Sequence, residues 1–238
     1  MQDLKFGVIV FPGSNCDDDL IHTLSDVCHV HVEKIWHKQH ALPELDGVFL
    51  PGGFSYGDYL RSGAIARYAN IMPAIQSFAN HGGFVWGICN GFQILCEAGL
   101  LPGALLQNKD QKFICDNVYL NTITTSSIIT QAMSVGSVIK IPIAHADGRY
   151  YADEPTLKQL VSNDQIIFKY CDRNGAFSDE SNVNGSMMNI AGICNEGRNV
   201  FGMMPHPERA SEDILGNHDG LILFQSMLHQ LTSMQVSS

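Results

Sequence analysis

Short apolar runs recur along the first hundred residues and predict four strands. Three runs, at residues 5–11, 47–50 and 83–88, are nearly continuous, which is typical of strands that are covered on both faces of a parallel sheet. Residues 27–35 alternate between apolar and polar positions, as expected of a strand nearer the edge of the sheet.

Stretches with helical spacing separate these runs and predict helices at residues 17–26, 62–80 and 92–98. Three acids, Asp17 to Asp19, open the first helix, and the positive end of that helix is sufficient to explain them. Strands that alternate with helices predict an α/β fold with a mostly parallel central sheet and helices on both faces.

The rest of the chain predicts further elements of the same fold. Residues 113–143 are rich in Thr, Ser, Val and Ile and predict several short strands. A helix is expected at residues 154–161, a strand at 199–203 and an amphipathic helix at 221–231. Because no repeat or linker divides the chain, we expect a single domain over residues 1–238.

The composition and the net charge exclude a disordered chain and argue against nucleic-acid and membrane partners. The 238 residues are 45% hydrophobic and 16% charged, which excludes charge-rich disorder. A formal charge of -10 repels a phosphate backbone, so nucleic acid is not an expected partner. No apolar run approaches the roughly 18 residues that a membrane helix needs. We therefore expect no membrane partner and a cytoplasmic location.

The seven cysteines predict free thiols in a reducing compartment, because their number is odd and no C-x-x-C pair occurs. Cysteine and histidine residues also cluster at positions 28–40, but they match no established ligand spacing. We expect no metal site.

The segment G-I-C-N-G at residues 87–91 lies between a predicted buried strand and a predicted helix. It matches the nucleophile elbow, in which a strained turn exposes a reactive residue and flanking small residues leave it room. The positive end of the following helix favours the thiolate form of Cys89. The alternative is that Cys89 is a small buried apolar residue, as most free cysteines are.

Two other segments could complete a site. His206 and Glu208 follow a predicted strand, and in an extended segment they share one face, so that Glu208 could orient the imidazole as a base for Cys89. The glycine pair at Gly52 and Gly53 ends another strand, and the amides of Gly53 and Asn90 could form an oxyanion hole. Taken alone, these segments are equally explained as an exposed polar turn and a plain loop.

Together these residues resemble the class I (triad) glutamine amidotransferases, and the resemblance runs in order along almost the whole chain. It is carried by F-P-G-S-N-C-D-D-D at 11–19, P-G-G-F-S-Y-G-D-Y-L-R at 51–61, G-I-C-N-G-F-Q-I-L at 87–95, P-I-A-H-A-D-G-R-Y-Y at 142–151 and G-M-M-P-H-P-E-R-A at 202–210.

The resemblance implies a flavodoxin-like three-layer sandwich and a role for each motif residue. Cys89 is the expected nucleophile, His206 the general base and Glu208 its orienting carboxylate, with no metal and no cofactor in this chain. The amides of Gly53 and Asn90 are the expected oxyanion hole. The expected glutamine-binding residues are Gly52, Gln93, His145 and Arg149.

The implied activity is hydrolysis of L-glutamine to glutamate and ammonia through a glutamyl thioester. The ammonia would pass to a large synthase subunit that uses ATP and Mg and converts formylglycinamide ribonucleotide to the amidine in purine synthesis, with a small auxiliary subunit bridging the two. Two alternatives remain open: a related elbow-cysteine protease, deglycase or chaperone, and a binding subunit whose triad is silent.

The sequence departs from the family pattern at three places. Val183 stands where a proline is usual, Ser62 replaces a common cysteine, and Ala146-Asp147 replaces a usual Gly-Glu. These departures leave the triad untouched and concern the shape of two loops and the docking of the partner.

Overall fold

The computed structural model describes residues 4–236, which form eleven strands and five α-helices. The strands are β1 Lys5–Val10, β2 His31–Trp36, β3 Gly47–Leu50, β4 Phe84–Ile88, β5 Ala104–Leu106, β6 Ile114–Thr122, β7 Val138–His145, β8 Arg149–Tyr151, β9 Ile166–Cys171, β10 Ile190–Cys194 and β11 Val200–Met203. The helices are α1 Asp17–His22, α2 Met72–Asn80, α3 Asn90–Glu97, α4 Glu154–Ser162 and α5 Leu221–Val236.

A nine-stranded sheet with the order β2-β1-β3-β4-β11-β10-β9-β6-β7 forms the centre of the molecule. The first five strands in this order run parallel, and the remaining four extend the sheet by antiparallel pairing. Leu50 pairs with Gly87, and Met203 pairs with Ile88, so the carboxyl ends of β3, β4 and β11 lie side by side. Residues that follow these strands therefore meet at one edge of the sheet.

Helices pack on both faces of the sheet. Strand β4 shows this, because the side chains of its neighbouring residues point to opposite faces. A Cβ on Gly87 would stand 2.6 Å from Leu95 Cδ1, so α3 packs closely on that face. Trp86 points to the other face, where its ring centroid is 5.2 Å from that of Phe224 on α5. This arrangement confirms the expected three-layer α/β sandwich.

Several predicted elements differ from the structure in length or kind. The helix expected at 62–80 is only α2, preceded by a 3-10 turn at Ala66–Tyr68. Gly63 interrupts the expected helix before residue 66, because it has a φ of 80° and lies in close contact with the backbone of α3. Pro73 is compatible with α2 only because it falls in the first turn of that helix.

The other differences are smaller. The helix expected at 17–26 is α1 followed by a wider π-type turn at Thr23–Val27. Residues 113–143 form two long antiparallel strands, β6 and the start of β7, in place of several short ones. The last helix is longer than expected and reaches Val236.

One cluster of buried apolar side chains extends from Leu4 to Leu231. The single domain over 1–238 stays a prediction, and residues 1–3 and 237–238 lie outside the described part. None of the helices within residues 4–236 combines the length and apolar character needed to span a membrane.

Candidate active site

Cys89 occupies a strained turn between β4 and α3, with φ 52° and ψ -107°. A positive φ is costly for a residue with a side chain, and such outliers cluster at functional sites. The flanking glycines are required by close packing. A Cβ on Gly87 would lie 2.6 Å from the backbone of Gly91, and a Cβ on Gly91 would collide with the carbonyl oxygen of Leu50. The geometry is therefore that of a nucleophile elbow.

His206 and Glu208 form a hydrogen-bonded pair that is almost fully buried. His206 Nδ1 donates to Glu208 Oε1 at 2.6 Å, and each side chain is 1% exposed. The expected pairing is present, but the backbone is not extended, because Pro207–Ala210 forms a 3-10 turn. Hydroxyls of Thr23 and Ser211 donate to the Glu208 carbonyl at 3.2 and 3.0 Å and hold this turn in place.

The imidazole of His206 and the side chain of Cys89 meet at Gly52. A Cβ on Gly52 would lie 2.6 Å from His206 Cε1 and 3.3 Å from Cys89 Cβ, so both side chains border the same point. The amide of Cys89 donates to the Met203 carbonyl at 2.7 Å, which ties the elbow to the end of β11. Only glycine leaves room for both side chains at position 52. The structure thus brings together three of the predicted site residues.

The electrostatics of this pair favour a charged imidazole. Burial disfavours the imidazolium and by itself lowers the pKa of His206, but the negative charges of Glu208 and Cys89 outweigh burial and raise the pKa to about 10. His145 behaves in the opposite way, because burial and the nearby charge of His206 lower its pKa to about 4. His145 is therefore neutral near pH 7.

The two predicted oxyanion donors border the same region. Asn90 begins α3, so its N–H is one of the first helical amides, which have no partner inside the helix. Gly53 has a φ of 132°, and a Cβ there would lie 2.6 Å from the backbone nitrogen of Asn15. Their role as an oxyanion hole stays a prediction.

The remaining predicted glutamine-binding residues lie in different settings. Gln93 is one turn into α3, and its side chain donates to the Asp147 carbonyl at 2.6 Å. His145 is buried at the end of β7, with Nδ1 donating to Asn108 Oδ1 at 3.1 Å. Arg149 begins β8 in the separate two-stranded sheet, and its Nε donates to the Gln107 carbonyl at 3.0 Å. These contacts do not link Arg149 to Cys89, and its role stays a prediction.

The acidic residues at the start of α1 also form contacts with distant parts of the chain. Asp17 pairs with Lys34 at 2.7 Å, and Asp19 accepts from Arg209 Nε at 3.0 Å. Arg209 also donates to the sulfur of Cys16 at 3.1 Å, which links α1 to the turn that carries Glu208. The expectation that helix polarity alone explains these acids is therefore incomplete, and only tertiary structure could have revealed the contact between residues 19 and 209.

The three departures from the family pattern lie in one neighbourhood. The Ser62 hydroxyl donates to Asp147 Oδ2 at 2.8 Å, so two of the departing residues are hydrogen-bonded to each other. Asn184, next to Val183, donates to the Gly148 carbonyl at 2.8 Å. No local pattern indicates the contact between Ser62 and Asp147, because the two residues lie 85 positions apart.

A cleft of about 290 Å³ reaches His206 from the surface. It is bordered by Ala144 of β7, by Arg209 and by Leu215, which is half exposed. Cys89 Sγ lies 3.9 Å from the Ala144 carbonyl, so the same strand flanks the thiol and the cleft. Within residues 4–236, no group of three or more His, Cys, Asp or Glu side chains is arranged to hold a metal ion.

A strained cysteine elbow beside a buried His–Glu pair, at the carboxyl edge of a parallel sheet, defines a class of α/β enzymes with a cysteine nucleophile. Comparison with known families narrows this class. The chain belongs to the CobB/CobQ-like glutamine amidotransferase domain family, whose profile matches residues 3–220.

Relatives cover the chain almost end to end. The chain is 54% identical over 235 residues to phosphoribosylformylglycinamidine synthase subunit PurQ of Acaryochloris marina, covering 99% of this chain and 100% of that protein. It also matches a chain of the PurLQS structure from Thermotoga maritima with a TM-score of 0.85 and 43% identity, covering 96% of this chain and 99% of that one. Another glutamine amidotransferase from Thermotoga maritima shares the fold, with a TM-score of 0.63 and 13% identity over 98% of this chain and 99% of that one.

Proposed function

We propose that this chain is the glutaminase subunit of a phosphoribosylformylglycinamidine synthase. It hydrolyses glutamine to glutamate and ammonia, and the ammonia serves the amidation of formylglycinamide ribonucleotide in purine synthesis. The full-length relative of Acaryochloris marina that bears this name, at 54% identity, supports the assignment. The observation that carries it is the junction at Gly52, where the elbow cysteine and the buried imidazole border one point.

The reaction is an acyl transfer through a covalent intermediate. The Cys89 thiolate attacks the side-chain amide carbon of glutamine, and the amides of Gly53 and Asn90 stabilise the tetrahedral oxyanion. The imidazolium of His206 gives its proton to the departing nitrogen, so ammonia leaves and a glutamyl thioester remains. His206 then takes a proton from water, which attacks the thioester and releases glutamate and the thiolate.

The environment of His206 suits both proton transfers. Glu208 accepts from Nδ1 and so directs Nε2 toward the reacting atoms. The raised pKa of His206 keeps a proton available for the leaving nitrogen at neutral pH. General acid–base catalysis of this kind contributes about 100- to 10 000-fold in rate.

The hydrogen bond between His206 and Glu208 also bears on the alternatives. A protease, deglycase or chaperone with the same elbow would not need this pair after the last parallel strand, and membership of the amidotransferase family speaks against those classes. A silent binding subunit shares both features, so activity must separate it from a glutaminase.

The partners follow from the relatives and from the chemistry of ammonia. The chain assembles with a large synthase subunit that supplies ATP and Mg and with a small auxiliary subunit, as the PurLQS assembly of Thermotoga maritima suggests. His206 borders a cleft that opens to the surface, and we expect ammonia to leave on this side of the imidazole. The complex works in the cytoplasm, and the isolated chain has low glutaminase activity.

Glutamate release from glutamine tests the proposal. The wild-type chain and Cys89→Ala are each assayed alone and with the synthase subunits and their substrates. We expect release by the wild type, a clear increase in the complex and none above background for Cys89→Ala. A wild-type complex that releases no glutamate would identify a silent subunit. A full rate for the isolated chain, with no gain from the partner, would refute the coupling.

A further inference from the structure

We propose that Thr23 is a positioning residue for the glutaminase reaction: its hydroxyl fixes the backbone carbonyl of Glu208 and thereby the carboxylate that orients the imidazole of His206. The inference rests on the proposed function and deepens it. Thr23 and Glu208 lie 185 positions apart in the sequence, and Thr23 acts on the reaction only through Glu208.

The carboxylate of Glu208 is held at one of its two oxygens. Oε1 accepts from His206 Nδ1 at 2.6 Å, whereas Oε2 is buried and has no hydrogen-bond partner among residues 4–236. The bond to His206 cannot by itself define where the carboxylate lies, because the imidazole is the group that the carboxylate has to orient. The position of the carboxylate therefore depends on the backbone that carries it.

Two buried hydroxyl groups hold this backbone. Ser211 Oγ donates to the Glu208 carbonyl at 3.0 Å from the same segment, and Thr23 Oγ1 donates to it at 3.2 Å from the end of α1. A carbonyl oxygen has two lone pairs, so it can accept both bonds together. Thr23 and Ser211 are 0% and 1% exposed, and a hydrogen bond is electrostatically stronger in such surroundings than in water.

The Thr23 hydroxyl has a single hydrogen, and its surroundings direct that hydrogen to Glu208. A threonine hydroxyl in a helix can bond the carbonyl four residues earlier, and the Asp19 carbonyl lies 3.1 Å from Thr23 Oγ1. The Asp19 carbonyl, however, already accepts from the Thr23 amide. Ser211 Oγ is 3.1 Å from Thr23 Oγ1, so a hydrogen donated to Ser211 also supports the bond from Ser211 to Glu208.

Thr23 belongs to the face of α1 that contacts the turn carrying the triad carboxylate. Asp19, His22 and Thr23 have the spacing i, i+3, i+4, which places them together on one helix surface. Asp19 accepts from Arg209 Nε at 3.0 Å, and His22 Nε2 lies 2.8 Å from Glu212 Oε1. The side chains in these two pairs are about a third to a half exposed, and exposed ion pairs contribute little. Of the three contacts, that of Thr23 is the one that solvent does not weaken.

The test compares Thr23→Val, which removes the hydroxyl at nearly constant shape, with Thr23→Ser, which keeps it. Both variants are assayed in the complete synthase complex for kcat and KM of glutamate release from glutamine. Each is made in the wild-type background and in a Glu208→Ala background. The matched control is Thr232→Val, because Thr232 Oγ1 donates to the Leu228 carbonyl at 2.8 Å within α5.

We expect Thr23→Val to lower kcat by about 10-fold at unchanged KM, because general acid–base catalysis contributes about 100- to 10 000-fold and a displaced carboxylate keeps part of that effect. Thr23→Ser should stay within about 3-fold of the wild type, since its hydroxyl still donates. In the Glu208→Ala background, Thr23→Val should cost less than about 2-fold, because no carboxylate remains to be positioned. Thr232→Val should keep the full rate.

A Thr23→Val complex with kcat within about 2-fold of the wild type overturns the inference. A loss of equal size in both backgrounds, or in Thr23→Ser and Thr23→Val alike, indicates a purely structural role and overturns it as well. If Thr23→Val does not fold, Ser211→Ala removes the other hydroxyl and must show the same dependence on Glu208. If instead the wild-type complex releases no glutamate, the proposed function has failed, so the two failures are distinguishable.

Discussion

Gly52→Ala is the smallest change that should separate Cys89 from His206 without removing a reacting group. Gly52 does not have a left-handed φ, so its backbone accepts alanine. The new methyl group would stand 2.6 Å from His206 Cε1, whereas carbon atoms pack at about 3.5 to 4.0 Å. The imidazole must therefore move by about 1 Å.

A shift of this size is large for catalysis and modest for folding. Misplacement by about 1 Å can cost about 100-fold in rate. Overpacking of a buried site typically costs about 1 to 3 kcal/mol in the free energy of unfolding. We therefore expect Gly52→Ala to fold with a lower melting temperature and to lose about 100-fold in kcat for glutamate release by the complex.

The control is Gly82→Ala, in a surface turn with a φ of 87° and no heavy atom within 4 Å of the added Cβ. It carries backbone strain without a clash, so it should lose stability and retain its rate. Thermal unfolding and glutamate release measure the two effects separately. A Gly52→Ala enzyme with a rate within about 3-fold of the wild type would refute the inferred contact between position 52 and the imidazole.

Three further predictions concern the support of the site. Glu208→Gln should lower kcat by at least about 100-fold. It should also change the pH dependence of stability. Because the pKa of His206 is raised from 6.5 to about 10, the contribution of His206 to the free energy of unfolding is complete below about pH 6.5 and is lost as the pH rises through about 10. Urea unfolding below pH 6.5 and near pH 10 should therefore show a smaller loss of stability between the two pH values in the variant than in the wild type. Gly91→Ala should destabilise the fold by about 3 kcal/mol or more, because its methyl group meets backbone; a melting temperature equal to that of the wild type would contradict the packing. Ser62→Cys and Asp147→Glu should be coupled by about 0.5 to 3 kcal/mol in a double-mutant cycle of unfolding, and strict additivity would show that their hydrogen bond contributes nothing.

The parts of the fold that depend on local pattern could be predicted from the sequence. The buried strands at β3 and β4 and the elbow between β4 and α3 combine apolar runs with glycines at fixed spacing, and both signals are local. The helix expected at 62–80 failed for a tertiary reason, since Gly63 packs against the backbone of α3. The small β5–β8 sheet pairs short strands that are distant in sequence and show no periodicity.

The candidate site likewise contains residues that local motifs predict and contacts that no local motif predicts. Cys89, His206 and Glu208 could be predicted because each occupies a recognisable motif. The contact of Arg209 with Asp19 and the pairing of Ser62 with Asp147 join residues that are 190 and 85 positions apart, and nothing in either segment indicates its partner. Such contacts form only when the loops at the carboxyl edge of the sheet fold together.

The most direct test is to trap the covalent intermediate. The complex is mixed with glutamine and quenched in acid, and peptide mass spectrometry locates the glutamyl group. We expect a glutamyl thioester on Cys89 that is absent from Cys89→Ala. Glutamate release with the adduct on another cysteine, such as the neighbouring Cys16, would contradict the account.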